Sequence, residues 1–232
     1  MVALVSSTIF PSDERLYGGD RSRLSFTERL DETIATVNSL VRCGITSILI
    51  ADNSGRRWDA EVTERLKPAR TLIFDHPNFR NKGIAELYLI LVALQHLDAN
   101  VPIIKLSGRY ILQRAPVISP SADLLVKYRD RHRTVSTRCY VAANRTVLQD
   151  FATEVLRQVY RSPYRIVGPR SLFVAIARTI SSKRDIFQYH DPPVGIELAA
   201  ADALRSNRWT VEKTECLGIR GELAITGQVI EE

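Results

Sequence analysis

The chain has few cysteines, and their arrangement argues against two classes of structure. Three cysteines, Cys43, Cys139 and Cys216, lie far apart among the 232 residues. An odd number without a C-x-x-C spacing argues against a disulfide framework and against a zinc knuckle. A reducing compartment is therefore the default expectation.

Long hydrophobic runs are also lacking. The longest apolar segment, 84–97, is interrupted by Glu86, Gln95 and His96 and falls short of the roughly 20 residues that a membrane span needs. The N-terminus has no basic region before an apolar stretch of signal-peptide length, so residues 2–9 are better interpreted as a strand. We expect a soluble cytoplasmic protein, and we leave open a peripheral contact with the inner face of a membrane.

Glycine and proline are scarce, with 11 and 10 residues, in a chain that is 45% hydrophobic and 25% charged. This balance is typical of a globular protein and excludes fibrous and low-complexity classes. A net charge of +6 suits a ligand that carries phosphate, or an anionic surface. We expect no nucleic-acid partner, because aromatic residues make up only 7% and no helix pattern carries a dense basic stripe.

Several well-known catalytic motifs are missing. The sequence has no G-x-G-x-x-G after its first strand pattern and no P-loop, which argues against dinucleotide enzymes and P-loop phosphotransferases. It also has no nucleophile elbow, no H-E-x-x-H and no close cluster of His and Cys. Serine hydrolases and zinc enzymes are therefore disfavoured.

The elements that are present alternate between strand and helix. Ser25 and Glu28 form a capping box that opens the first helix, and apolar residues then recur every three or four positions until Gly44. Alternation of this kind predicts right-handed crossovers and a Rossmann-like α/β fold with a mostly parallel central sheet flanked by helices. The predicted strands are 2–9, 47–51, 70–74 and 101–106, and the predicted helices are 25–44, 59–66 and 84–97.

The second half of the chain has a mixed pattern. Two strands are predicted at 123–128 and 135–142, and helices at 146–160, 169–180 and 195–206. Shorter strands are expected near Trp209 and Ile219. No linker or internal repeat divides the sequence, so we predict a single domain over residues 1–232.

Polar residues follow the predicted strands where the strands end. Carboxyl ends of parallel strands share one edge of a sheet, and ligands of open α/β sheets bind there, so we expect a nucleotide-sized crevice. A carboxylate such as Asp52 could accept hydrogen bonds from a ribose or a base edge, but Asp and Asn are also common turn formers. The segments concerned are Ser6-Ser7-Thr8, Asp52-Asn53-Ser54-Gly55, Asp75-His76 and Lys105 to Tyr110.

Three segments resemble the nucleotide-diphospho-sugar transferase (GT-A) fold. The turn Ala51-Asp52-Asn53-Ser54 resembles the D-[DN]-[GS]-S turn after its second strand, and Asn81-Lys82-Gly83-Ile84-Ala85 resembles the N-x-G segment that opens a helix before the fourth strand. The string Lys105-Leu-Ser-Gly-Arg-Tyr-Ile-Leu112 is similar to a K-[IL]-S-G-R-Y-x-L signature of small bacterial and viral sugar transferases. The resemblance covers about the first half of the chain.

This resemblance implies a glycosyltransferase that moves a sugar from a nucleotide-sugar donor to a saccharide or lipid-linked acceptor, in surface-polysaccharide synthesis. It implies a nucleotide-binding half, 1–112, and an acceptor-side half, 113–232. The predicted donor-binding residues are Ser6, Ser7, Thr8, Asp52, Asn53, Ser54, Lys82, Gly83, Lys105, Ser107, Gly108, Arg109 and Tyr110.

The sequence departs from the GT-A pattern where those enzymes usually carry an Asp-x-Asp that holds a divalent ion. The segment 105–110 stands in that place, and Asp-x-Asp occurs nowhere in the chain. Arg109 could grip phosphate with two parallel hydrogen bonds, and Lys105 could add a point charge. We therefore predict neutralisation of the leaving phosphate without a metal or other cofactor, while a divalent ion is left open. In the structural alternative, Arg109 pairs with a carboxylate and Tyr110 packs in the core.

Transfer with inversion needs a base that deprotonates the acceptor hydroxyl. The best candidate is Glu197, in the first turn of a predicted helix after a proline-rich loop, followed by Asp191. By resemblance, GT-A enzymes often place an acidic residue at such a helix start. An acid in a first turn is also favoured by the helix dipole alone, which is the structural alternative.

Two other classes remain open from the sequence. One is a non-catalytic nucleotide- or nucleic-acid-binding α/β protein that uses the same sheet edge. The other is a degenerate transferase with an intact nucleotide site and no catalytic base.

Overall fold

The computed structural model of the chain describes residues 1–10, 24–55, 58–75, 79, 81–98, 100–161, 168–173, 176–177, 192, 194–222 and 228–232. Its first elements are β1 (Val2–Ser7), α1 (Phe26–Arg42), β2 (Ile48–Asp52), α2 (Ala60–Arg65), β3 (Arg70–Ile73), α3 (Lys82–Ala93) with a 3₁₀ turn (Leu94–His96), and β4 (Ile103–Ser107). There follow β5 (Tyr110–Leu112), β6 (Leu124–Val126), β7 (Tyr128–Arg129), β8 (Thr134–Val135), β9 (Cys139–Ala142), α4 (Arg145–Arg161), α5 (Ile196–Leu204), β10 (Val211–Lys213), β11 (Ile219–Glu222) and β12 (Val229–Glu231).

A seven-stranded sheet forms the centre of the fold, in the order β10-β6-β9-β4-β1-β2-β3. Strands β1 to β4 are mutually parallel, and only β9 runs against its neighbours. The predicted α/β class with a mostly parallel central sheet is confirmed. The chain steps outward from β1 to β3 and then returns to β4 on the other side of β1, so the sheet has its topological switch point between β1 and β4.

Helices cover both faces of this sheet. Because side chains alternate along a strand, Leu4 of β1 faces one layer while its neighbour Val5 faces the other. The Leu4 side holds α3, α4 and α5, and the Val5 side holds α1 and α2. The two apolar clusters pack on opposite faces of the sheet and fix the positions of the helices relative to the strand ends.

Local sequence signals place the first helix as predicted. The Ser25 hydroxyl accepts a hydrogen bond from the Glu28 amide, and the Glu28 carboxylate accepts one from the Ser25 amide, which completes the capping box. The helix ends before Gly44, whose φ of +79° is unfavourable for residues with a side chain. The same logic places α2, which begins after Asp59, whose carboxylate accepts the amide of Val62.

The second half departs from the prediction in one respect. The two strands predicted at 123–128 and 135–142 are each divided, since β7 and β8 leave the central sheet as a separate hairpin. The chain turns between β7 and β8 at three residues with positive φ, Asp130, Arg131 and His132. The predicted helix at 169–180 is helical at 169–173 and 176–177, and its other positions lie outside the described residues.

A small antiparallel sheet, β12-β11-β5, joins the two halves of the chain. Its strand β5 follows β4 almost directly, and its strand β11 comes from the far end of the sequence. Division of the domain at residue 112 stays a prediction. In the part of the chain that the structure describes, no helix combines the length and the apolar character that crossing a membrane requires.

Candidate functional site

The strand ends selected from the sequence meet at the switch point of the sheet. In the register of the sheet, Ser6 lies opposite Ser107 on β4, and Ser7 lies opposite Asp52 on β2. Ligands of open α/β sheets bind in the crevice outside the carboxyl ends of strands at a switch point. The fold thus brings the predicted first, second and fourth strand ends to the place where a ligand is expected.

Asp52 is fully buried and ties the first two strand ends together. Its Oδ2 accepts hydrogen bonds from the Ser7 hydroxyl (2.6 Å) and the Ile9 amide (2.9 Å), and its Oδ1 accepts the Ser54 amide (2.8 Å). The turn-forming alternative therefore describes Asp52, because its carboxylate is occupied by its own chain. A direct contact between Asp52 and a nucleotide does not fit this geometry.

The neighbouring side chains reinforce the same turn. The Thr8 hydroxyl donates to the side-chain oxygen of Asn53, and the Ser54 hydroxyl accepts the Phe10 amide at 2.8 Å. Thr8 also accepts, through its carbonyl, a hydrogen bond from Arg29 on α1 (2.9 Å). These contacts fix the backbone that follows β1 at this edge of the sheet.

Gly108 lets the chain after β4 fold closely across the end of β1. Its amide donates to the Ser6 carbonyl at 2.8 Å. A Cβ at this position would lie 3.0 Å from the Ser7 Cβ and 3.2 Å from the Ser6 carbonyl oxygen, so a side chain would crowd the turn. The Gly108 carbonyl in turn accepts the Thr33 hydroxyl at 3.2 Å. Gly108 was predicted to let the backbone approach a ligand closely. In the structure it lets the backbone approach the end of β1 closely.

Lys105 has partners other than those that the sequence suggested. Its side chain is buried, and its ammonium donates to Glu86 Oε1 (2.5 Å), the Ser107 hydroxyl (3.0 Å) and the Thr137 carbonyl (2.6 Å). All three ammonium hydrogens are thereby used. A direct contact of Lys105 with a phosphate does not fit this geometry, and Lys105 instead holds Glu86 in place.

Glu86 is one of the site residues that the sequence interpretation missed, together with Arg29 and Glu32. Its Oε1 also accepts the hydroxyls of Ser6 (2.7 Å) and Ser107 (3.2 Å), so it joins the ends of β1 and β4 from helix α3. Burial alone would raise the pKa of the Glu86 carboxyl, but the charge of Lys105 and these hydrogen bonds outweigh it and hold the pKa below its ordinary value. The available signal was a lone acidic residue within an apolar helix pattern.

Arg109 and Arg29 lie close to each other beside this edge. The Thr33 hydroxyl is within hydrogen-bond distance of the carbonyls of both Arg29 (2.9 Å) and Gly108, which sets α1 against the Gly108–Arg109 turn. Burial, and then the like charge of Arg109, lower the pKa of Arg29. Across the described ranges, the Arg109 guanidinium has no hydrogen-bond or ion-pair partner. Two neighbouring guanidinium groups favour an anion between them.

A carboxylate on α1, Glu32, also lies near both cations. Oε2 of Glu32 on α1 is buried and lacks a hydrogen-bond partner among the residues that the structure places. Burial raises the pKa of the Glu32 carboxyl, against the opposite influence of Arg109 and Arg29. Arg109 therefore has a charged neighbour in Glu32 but no direct ion pair.

Two predicted donor contacts have packing roles in the structure. Tyr110 is only 3% exposed and lies in the apolar cluster on the α1 side of the sheet, as the structural alternative had it. A Cβ on Gly83 would lie 2.1 Å from Cγ2 of Ile196, so this glycine allows α5 to pack on the first turn of α3. Their contact with a donor stays a prediction. Lys82, beside Gly83, is exposed in the first turn of α3.

Glu197 lies in the first turn of α5, beside the start of α3. The Asn81 side chain caps α3 by accepting the Gly83 amide and donates to the carbonyls of Pro192 and Val194, which precede α5. The Glu197 carboxylate is half-buried and, within the described segments, makes no hydrogen bond. The second candidate base, Asp191, lies outside the described residues.

The residues at this edge do not fit a divalent cation of the Asp-x-Asp type. The described residues contain no group of three or more His, Cys, Asp or Glu side chains that could hold a metal. Ser107, Gly108 and Arg109 supply no carboxylate at the end of β4, and Glu86, which accepts the Ser107 hydroxyl, is paired with an ammonium. Independence from a metal stays a prediction.

The sheet order and this edge define a class: a doubly wound α/β protein whose switch point carries hydroxyls, a paired carboxylate and guanidinium groups. No protein-family model and no curated protein matches the chain. Solved structures that it is similar to include a nucleoside-diphosphate-sugar pyrophosphorylase from Vibrio cholerae, at 14% identity and a TM-score of 0.47, covering 92% of this chain and 91% of the other.

Two further structures have similar scores. The galactosyltransferase LgtC, solved with donor and acceptor sugar analogues, is 7% identical with a TM-score of 0.46, covering 92% of this chain and 73% of the other. The inositol-1-phosphate CTP transferase from T. maritima is 9% identical with a TM-score of 0.45, covering 91% and 84%. At these values the likenesses do not establish an activity for this chain.

Proposed function

We propose that the chain is a glycosyltransferase that binds a nucleotide-sugar donor at the β1–β4 edge and transfers the sugar to a saccharide or lipid-linked acceptor, in surface-polysaccharide synthesis. The observation that carries the proposal is the position of Arg109. It follows a glycine turn at the switch point, and its guanidinium has no partner in the described part of the chain. The resemblance of residues 105–112 to sugar-transferase sequences supports the same assignment.

In this proposal the cations take the negative charge of the leaving group. When the bond between the sugar and the phosphate breaks, charge builds up on the phosphate oxygens. Arg109 can donate two parallel hydrogen bonds to them, and Arg29, held by the Thr8 carbonyl, supplies a second guanidinium nearby. No metal is required for this neutralisation.

The acceptor hydroxyl needs a base. Glu197 is our first candidate, because its carboxylate makes no hydrogen bond within the described residues and lies beside the start of α3. Asp191 is the second. Glu197→Gln is expected to abolish transfer while donor binding persists, and unchanged turnover would remove Glu197 from the mechanism.

The proposal is tested by a panel of nucleotide sugars with uridine, guanosine and cytidine bases, and by RNA. We expect one base class to raise the melting temperature and the corresponding nucleotide sugar to be hydrolysed slowly in the presence of a chelator. Arg109→Gln should weaken binding about 10- to 100-fold, the value of a charge-assisted hydrogen bond. The control is Arg42→Gln, which also removes one arginine charge. Arg42 lies in the last turn of α1, at the end of that helix opposite to Arg29.

Three outcomes would contradict parts of the proposal. Strict dependence on manganese or magnesium would contradict metal-free neutralisation. Donor binding without hydrolysis or transfer would indicate a degenerate transferase or a nucleotide-binding protein. A shift with RNA alone would indicate a nucleic-acid-binding protein.

A further inference from the structure

We propose that Glu86 is a binding residue whose Oε2 accepts hydrogen bonds from vicinal hydroxyls of a bound carbohydrate. This inference deepens the proposed function and rests on it for the identity of the ligand, either the ribose or the transferred sugar of the donor. It assigns to Glu86 the hydroxyl-bearing part of the ligand, separate from the phosphate part that faces Arg109.

The first argument is the way in which the carboxylate is held. Three donors, from Lys105, Ser6 and Ser107, converge on Oε1 and fix the orientation of the group. Oε2 has no partner among the described residues, and 24% of the side chain stays exposed. An ionised carboxylate oxygen can accept two hydrogen bonds, so Oε2 retains its full accepting capacity.

The second argument is location. Ser6 ends β1 and Ser107 ends β4, and these two strands flank the switch point. A carboxylate that bridges their hydroxyls therefore lies at the crevice where ligands of such sheets bind. Its three bonds to Oε1 would keep Oε2 in place before a ligand arrives.

The third argument is charge, which selects the chemistry of the ligand. The lowered pKa of Glu86 keeps the carboxylate ionised at neutral pH, so it can only accept hydrogen bonds. A phosphate would be repelled by this charge, and a metal cation would be disfavoured by the Lys105 ammonium 2.5 Å from Oε1. Hydroxyl groups donate hydrogen bonds without carrying charge, and two vicinal hydroxyls can both donate to the same carboxylate oxygen.

The test compares ligands with and without hydroxyl groups. UDP, GDP and CDP are paired with their 2′-deoxy forms, and UDP-glucose is paired with its 2-deoxyglucose analogue. The variant is Glu86→Gln with Lys105→Met, which leaves no unpaired ammonium in the core. The matched control is Glu64→Gln with Lys67→Met, the same two changes at an exposed ion pair.

In the wild type we expect the hydroxylated member of one pair to bind about 10- to 100-fold more tightly, as for hydrogen bonds to a charged group. Loss of preference in the nucleotide pair identifies ribose, and loss in the glucose pair identifies the sugar. In the double variant the preference should disappear while the deoxy ligand binds as before. The control should keep the preference, and melting curves verify that both variants fold.

Equal weakening of hydroxylated and deoxy ligands in the variant would mean that Glu86 is structural, and would overturn the proposal. If the wild type binds no nucleotide, the proposed function fails, and binding of free glucose, galactose and ribose is measured instead by NMR. Carbohydrate binding that is lost in the double variant supports Glu86, and absence of any carbohydrate binding overturns its role.

Discussion

The contact between Gly83 and Ile196 makes a sharp prediction about the start of the two helices. A Cβ added at Gly83 would lie 2.1 Å from Cγ2 and 3.1 Å from Cβ of Ile196, so the obstructing atoms belong to the stiff, β-branched part of the side chain. The substitution Gly83→Ala must therefore push α5 away from α3. Because Glu197 follows Ile196 directly, the same displacement moves the candidate base.

The magnitude follows from two opposing effects. Overpacking in a well-packed contact costs about 1–3 kcal/mol. The better helix propensity of alanine returns up to about 1 kcal/mol. We expect Gly83→Ala to lower the free energy of unfolding by about 1–2 kcal/mol. Ile196→Ala should cost about 2–5 kcal/mol by itself, because Ile196 is only 7% exposed.

The informative quantity is the coupling between the two sites. In the double variant the shorter alanine at 196 makes room for the new methyl group, so Gly83→Ala should no longer cost stability. Urea unfolding of the four proteins should give a coupling energy of about 1–3 kcal/mol. Gly168→Ala is the matched control, because no atom lies within 4 Å of its added Cβ. Additivity within about 0.5 kcal/mol would refute the reasoning.

Three further predictions concern buried groups. Asp52→Asn replaces an acceptor of several hydrogen bonds and should lower the free energy of unfolding by about 1–3 kcal/mol in urea, whereas a loss under about 0.5 kcal/mol would contradict its role. Burial raises the pKa of Cys139 to about 12, so a thiol reagent at about pH 8 should modify exposed Cys216 first and Cys139 only after unfolding; rapid reaction of native Cys139 would disagree. Because the folded-state pKa of Glu86 is lowered, its stabilising contribution is complete above the ordinary value of 4.5 and is lost as the pH falls below it. The stability difference between the wild type and Lys105→Met should therefore shrink as the pH falls below 4.5, and a constant difference would argue against the pairing.

Much of the first half was predictable because its signals are local. A capping box, a turn glycine and short apolar runs placed α1, β2 and the following elements within a few residues. The sheet edge was predictable as well, since alternation of strands and helices determines which strand ends share an edge. These inferences need only neighbouring residues and a general rule of chain connection.

The roles of single side chains at that edge depended on distant partners. Lys105 was predicted to face a phosphate, but in the folded chain its ammonium is paired with Glu86 of α3. Gly83 was predicted to contact the donor, and its neighbour is Ile196 on a helix far along the chain. The sequence shows which residues could carry charge, but the packed fold decides which charges are already neutralised.

The pairing of β5 with β11 has a consequence for the order in which the protein is built. Tyr110, the residue after Arg109, lies opposite Gly221, and its ring would leave no space for a side chain there. During synthesis the ribosome releases β1 to β4 long before it releases β11, the strand that pairs with β5. Closing such a distant pair is slow compared with forming local turns. The packing of Tyr110, next to the turn that carries Arg109, is accordingly completed only after β11 has been made.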